Sequence, residues 1–136
     1  MTIQVTRTCV GHIQNHRQVQ PDLDSLGDAG SKIWNVARYT AGRIWDATGE
    51  IPDVGTLKAY MKTRQCWKDL NSQSSQKVIE ELSDAFQSWF DVRQKDETAN
   101  PPGYRKEYDT RPRSTVTFKE DGFKHDPAHN RVRLSK

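Results

Sequence analysis

The sequence predicts an α+β fold in which strand-forming ends enclose a helical middle, and three observations lead there. Residues 2–10 alternate β-branched and polar side chains, residues 22–95 carry apolar positions spaced by three and four, and beyond Asn100-Pro101-Pro102-Gly103 the period changes to two.

In Thr2-Ile3-Gln4-Val5-Thr6-Arg7-Thr8-Cys9-Val10, the positions Ile3, Val5 and Cys9 share one side of a period-two pattern, as in a half-buried strand. A polar stretch from Asn15 to Pro21 then leads to Asp22-Leu23-Asp24, where carboxylates suit the positive end of a helix dipole. The helix expected to follow places Leu26, Ala29, Ile33, Val36 with Ala37, Ala41 and Ile44 mostly three or four residues apart. Gly27, Gly30 and Gly42 lower its intrinsic propensity, so burial or close packing must hold it. The segment from Gly49 to Gly55, with Pro52, breaks the period, and a short helix over 56–63 would bury Leu57, Tyr60 and Met61.

The clearest helix comes next. Asn71 and Ser72 are capping residues, and Val78, Leu82, Ala85 with Phe86, and Trp89 form one apolar stripe that closes on Arg93 and Lys95. The prolines then forbid continuation and set a boundary at 97–103. Past it, Val116 and Phe118 alternate with Thr115, Thr117 and Lys119, and Asp121-Gly122 is a hairpin-turn signal. Phe123 and His125 start a return strand, residues 126–130 form a loop, and Val132 with Leu134 alternates with Arg131, Arg133 and Ser135, so a three-stranded meander is expected. If Val132 and Leu134 face a core, Arg131 and Arg133 share the opposite face.

A chain of 136 residues holds one modest core, and a mean hydropathy of −0.94 is offset by four Trp, four Phe and four Tyr. The longest purely apolar run, Ala59-Tyr60-Met61, is far short of the roughly 18 to 20 residues of a spanning helix. The start has no basic-then-apolar leader pattern, and the only cysteines are Cys9 and Cys66, so a cytoplasmic protein without membrane contact is expected. Residues 1–100 carry net charge −1 and residues 101–136 carry +4. Lys and Arg displace counterions condensed on phosphates, and the sequence after the boundary supplies Arg105, Lys106, Arg111 and Arg113, although Glu107, Asp109, Glu120, Asp121 and Asp126 dilute the field.

Catalytic chemistry is not legible. Cys9-x2-His12-x3-His16 lacks a fourth ligand, so no metal is expected. Glu80 with Glu81 and Glu120 with Asp121 are expected as solvated carboxylates, and there is neither a nucleophile and base pairing nor a glycine-rich phosphate loop. The tryptophans Trp34, Trp45, Trp67 and Trp89 are expected to pack between helices, with stacking on single-stranded nucleic acid as the second reading.

Several strings resemble the N-terminal part of TnpB proteins, the transposon-encoded RNA-guided DNA endonucleases, archaeal members above all. They are Ile33-Trp34-Asn35, Ser72-Gln73-Ser74-Ser75-Gln76 leading to Glu81-Leu82 and Ala85-Phe86, Asn100-Pro101-Pro102-Gly103-Tyr104-Arg105-Lys106, and Arg113-Ser114-Thr115-Val116-Thr117-Phe118 through Arg131-Val132-Arg133-Leu134-Ser135-Lys136. The resemblance implies a partial oligonucleotide-binding-like β-barrel, the wedge, interrupted by a helical recognition insert. Residues 1–20 would then be the first wedge strand and lead-in, 21–100 the recognition domain and 101–136 the wedge return. It implies nucleic-acid contacts from Arg105, Lys106, Arg111 and Arg113 at the re-entry, from Lys119, Lys124, Arg131 and Arg133 on the wedge strands, and from Asn35, Gln73 and Gln76 on the helices. The implied partners are guide RNA, double-stranded DNA next to the target, and a separate nuclease half. Pairing to RNA supplies most sequence specificity in such complexes. The metal-binding RuvC-like nuclease domain has no counterpart in this sequence, so no cofactor and no catalytic residue is expected here. The chain is expected to be a truncated or separately encoded half that binds without cutting. The alternative is a helix-turn-helix accessory or repressor protein of a transposon, against which the long break at 49–55 counts.

Overall fold

The computed structural model describes residues 11–105, 116–119, 123–129 and 131–134. Their elements are α1 (His16–Thr48), α2 (Val54–Met61), α3 (Gln65–Lys68), α4 (Ser72–Arg93), β1 (Phe123–Asp126) and β2 (Arg131–Leu134), with a 3-10 turn at Pro127–His129 between the strands. The fold is α+β, mostly helical, with a two-stranded antiparallel sheet among the described residues.

Helix α1 begins at His16, ahead of the start expected at Asp22, and takes in Pro21. A proline this near the start removes a single backbone donor. The turn before it is held by the Asn15 carbonyl, which accepts from the Gln18 and Val19 amides at 3.0 and 3.4 Å. Gln20 Nε2 also donates to Asp24 Oδ1 at 2.7 Å, bridging across the proline. At the other end Gly49 adopts φ 74°, and its amide donates to the Trp45 carbonyl at 2.7 Å. That left-handed cap is where glycine is needed.

Helix α2 starts two residues before the expected 56–63, because the Asp53 carboxylate caps it by accepting from the Thr56 amide at 2.7 Å. Leu57 and Met61 are buried as expected, whereas Tyr60 is 39% exposed and stacks with Arg64. The four-residue α3 was not legible in the apolar spacing; it exists to turn Cys66 and Trp67 into the core. Helix α4 matches its expected bounds, with Asn71 Oδ1 accepting from the Ser74 amide at 2.9 Å.

The core is a single cluster. Ile33, Ala37 and Ala41 of α1 meet Val78, Ile79, Leu82 and Phe86 of α4, while Leu57, Met61, Cys66, Trp67 and Leu70 close it from the side. Ala37 and Ala41, four residues apart, are fully buried and let α4 approach closely. Gly30 serves the same end: a Cβ there would lie 3.3 Å from Val116 Cγ2.

That contact locates residues 116–119, which were expected to open the meander. They lie against the helices, outside the two-stranded sheet of the described residues. Ser74 Oγ donates to the Thr117 carbonyl at 2.7 Å, and Val116 packs on the core. The expected strand over 2–10 and the Asp121-Gly122 turn fall outside the described residues.

The hairpin pairs Phe123 with Leu134, Lys124 with Arg133, His125 with Val132 and Asp126 with Arg131. Val132 and Leu134 lie opposite Arg131 and Arg133 as alternation requires, but they do not face a core. Val132 is 60% exposed, Phe123 40% and Leu134 38%. A two-stranded ribbon has no second layer of its own to bury them.

Because Leu82 is fully buried at the centre of the cluster, Leu82→Ala is expected to lower unfolding free energy by about 2–5 kcal/mol in a denaturant titration. Asn71→Ala, which removes the cap together with the Nδ2 bond to Ser74 Oγ, is expected to lower it by about 1–2 kcal/mol.

Candidate nucleic-acid interface

The chain leaving α4 is clipped to α1 by side chains that read its backbone. Asn35 Nδ2 donates to the Arg105 carbonyl and Asn35 Oδ1 accepts from the Arg105 amide, both at 2.8 Å. Trp34 Nε1 donates to the Gly103 carbonyl at 2.9 Å, and Arg38 Nε donates to the Pro102 carbonyl at 2.6 Å. From α4, Trp89 Nε1 donates to the Ala99 carbonyl at 3.0 Å. A segment with consecutive prolines lacks amides for a sheet ladder, so its carbonyls take indole and guanidinium donors.

The Arg105 side chain folds back onto the same face. Its guanidinium carbon sits 4.4 Å from the centre of the Trp34 ring, and Nη2 lies 3.3 Å from Glu81 Oε2. Buried Nη1 has no hydrogen-bond acceptor among the described residues, and the indole face beneath the guanidinium supplies cation–π attraction in its place. Glu81 Oε1 also accepts from Thr117 Oγ1 at 3.4 Å. One turn position away, Glu80 Oε1 meets Lys58 Nζ at 3.0 Å and Lys119 Nζ at 3.5 Å. Glu80 and Glu81 are therefore half-buried anchors rather than the solvated carboxylates expected. The Lys58 hydrogen bond, reinforced by Lys119, holds the Glu80 carboxyl below the usual glutamate range.

The candidate residues thus divide. Asn35 and Arg105 are brought together, as are Lys119 and Glu80, in contacts internal to the chain. Gln73 and Gln76 lie half-buried in the first turns of α4. Lys124 and Arg133 face one another across the hairpin with no carboxylate on either among the described residues, while Arg131 reaches Asp126 Oδ2 at 3.5 Å, an oxygen shared with His129 Nδ1 at 2.8 Å. Like charges directly opposite on a ribbon repel and are relieved by an anion between them. Lys106, Arg111 and Arg113 lie outside the described residues.

A second basic surface escaped the sequence reading. Between α1 and α2 runs an open groove of about 860 Å³ whose lining, among the described residues, includes Lys32, Tyr39, Arg43, Tyr60, Arg64 and Arg105 and no Asp or Glu. Its floor is apolar, from Val36, Ile44 and Leu57. Among the described residues Lys32, Arg43 and Arg64 form no ion pair, and only Arg105 is neutralised, by Glu81. The signal was present as the period Lys32, Asn35 with Val36, Tyr39 with Thr40, Arg43 with Ile44, a face of α1 next to the apolar stripe. The groove's other wall, α2 with Arg64, could be placed beside it only by the tertiary fold.

The tryptophans are engaged in packing. Trp67 is 5% exposed, Trp34 and Trp89 hold the returning chain, and Trp45 lies 5.5 Å from Trp89 and 5.6 Å from Phe90, with Arg93 over its ring. Burial pushes the Cys66 thiol up, which keeps it protonated. No group of three or more His, Cys, Asp or Glu among the described residues is arranged to hold a metal ion. No described helix is long and apolar enough to cross a membrane. No protein-family model matches the sequence, and no curated protein or solved structure matches it.

Two outcomes test this geometry. Asn35→Ala leaves the Arg105 amide without its acceptor, so hydrogen exchange at that amide is expected to rise and stability to fall by about 1–3 kcal/mol. Because the folded-state pKa of Glu80 is depressed, its stabilisation is present at neutral pH and down to the ordinary glutamate pKa, then disappears as Glu80 protonates below it. Glu80→Gln is expected to flatten the acid limb of stability against pH, measured by urea unfolding.

Proposed function

We propose that this chain is a nucleic-acid-binding module, of the kind that forms the N-terminal half of TnpB-like RNA-guided endonucleases, acting in the cytoplasm. The observation that carries the reading is the groove between α1 and α2, where Lys32, Arg43 and Arg64 line one surface with no carboxylate among the described residues. In a chain with 18 Asp and Glu, such a gap in negative charge gives a polyanion an unopposed field. The Lys124 and Arg133 pair on the hairpin adds a second point of phosphate contact. On this reading residues 21–100 are the recognition part, the flanking segments belong to an oligonucleotide-binding-like wedge, and the ligands are guide RNA and duplex DNA beside the target. Asn35 and Arg105 then act by shaping the groove wall. A helix-turn-helix is less well supported, since α3, with four residues, is too short to lie along a major groove.

The test is a titration of the chain against structured RNA from the transposon end, with scrambled RNA of equal length, at two salt concentrations. Preferential binding that weakens steeply with salt is expected. Arg43→Ala with Arg64→Ala should reduce the slope of log affinity against log salt by about 1 for each lost phosphate contact. Equal, salt-insensitive binding of both RNAs would remove the proposal.

A further inference from the structure

The groove between α1 and α2 differs from a plain phosphate-binding surface in two respects. Its floor is apolar, and two tyrosines line it, Tyr39 at 58% and Tyr60 at 39% exposure. A duplex offers such a surface only sugar and phosphate, because its base faces are already stacked. A single strand brings unstacked rings that profit from both features.

Resting on the nucleic-acid reading above, we infer that this groove selects single-stranded nucleic acid, stacking a base on Tyr39 and holding the flanking phosphates with Lys32, Arg43 and Arg64. Tyr39 and Arg43 lie four residues apart on α1, so an aromatic face and a cation are neighbours on one helix surface. Lys32 and Arg43 are separated by about 16 Å along the helix axis, room for a run of several nucleotides. On the opposite wall Arg64 lies 4.9 Å over the Tyr60 ring and donates to its hydroxyl. That stack fixes the guanidinium plane, which can meet a phosphate or the face of a second base.

The stacking capacity sits with Tyr39 because Tyr60 already carries Arg64 and the stronger stackers are committed elsewhere. Trp67 is buried, the Trp34 face carries Arg105, and Trp45 and Trp89 meet edge to face and lie beneath Arg93. The hairpin's cations have no such companions, since Phe123 lies on the other face of the ribbon from Lys124 and Arg133. The two basic surfaces are therefore chemically distinct. The hairpin offers charge alone, whereas the groove offers charge and an aromatic face together.

The experiment is a fluorescence-anisotropy titration of the full chain at low salt, repeated at a series of higher salt concentrations. The probes are labelled oligothymidylate, oligouridylate, an abasic strand of equal length and a hairpin duplex. Oligothymidylate and oligouridylate are expected to bind about tenfold tighter than the abasic strand or the duplex, a ratio set by base stacking. Tyr39→Ala is expected to erase that advantage while leaving the salt slope unchanged, and Tyr39→Phe to retain it. Arg43→Ala should lower the slope for every probe. Tyr39 is mostly exposed, so circular dichroism should report an unchanged fold in both variants. Equal affinity for the abasic and base-bearing strands, tighter duplex binding, or an unchanged Tyr39→Ala would overturn this inference while leaving the nucleic-acid reading in place. No salt-dependent binding of any probe would overturn both. The ratio of uridylate to thymidylate affinity separates RNA from DNA as the preferred strand.

Discussion

The Asn35 side chain pairs with both the amide and the carbonyl of Arg105, imitating one rung of a β-ladder from the surface of a helix. The path of the chain after α4 follows from that rung. With Arg105 fixed, its guanidinium settles over Trp34 and reaches Glu81, while Gly103 and Pro102 come within range of Trp34 and Arg38. Each of these contacts is modest in water-exposed surroundings, yet they share one short segment, so ordering it for one serves the others. The wall of the α1–α2 groove nearest Arg105 depends on this arrangement.

Charge is distributed by the same logic. On α4, Glu80 holds Lys58 and Lys119, and Glu81 holds Arg105. These pairs are partly exposed, and surface ion pairs contribute little stability individually. Their larger effect is spatial. They occupy Glu80 and Glu81, and among the described residues no carboxylate pairs with Lys32, Arg43 or Arg64. A weak net charge of +3 therefore coexists with a locally concentrated positive surface.

How much of this could be read from the chain depends on the range of the interaction. Helix α4 was legible because its cap, apolar stripe and proline stop are all local, and the Arg131, Arg133 face of the hairpin followed from alternation alone. The start of α1 was not, since Pro21 argued for a break while the Asn15 carbonyl and the Gln20 to Asp24 bond carry the turn across it. The docking of residues 116–119 on Gly30 and Ser74 was hidden because a period of two marks an extended segment without saying what it pairs with. Asn35 was expected, through the resemblance, to contact nucleic acid, and only a partner 70 positions away reveals its bond to the Arg105 backbone. The groove fell between these cases: its α1 face is periodic in the sequence, but the facing Tyr60 and Arg64 are not predictable neighbours.

The separation of Asn35 from Arg105 also sets an order of assembly. Helices α1 to α4 form through shorter-range contacts, whereas the clip closes a loop of 70 residues and carries the entropic cost of that closure. A chain still emerging from the ribosome holds the helical unit before residues 99–105 exist to dock. During that interval the indole donors of Trp34 and Trp89 have no carbonyls to bind and the seam between α1 and α4 stands open. The nascent protein is then stickiest at the site the finished one covers with two prolines and a glycine.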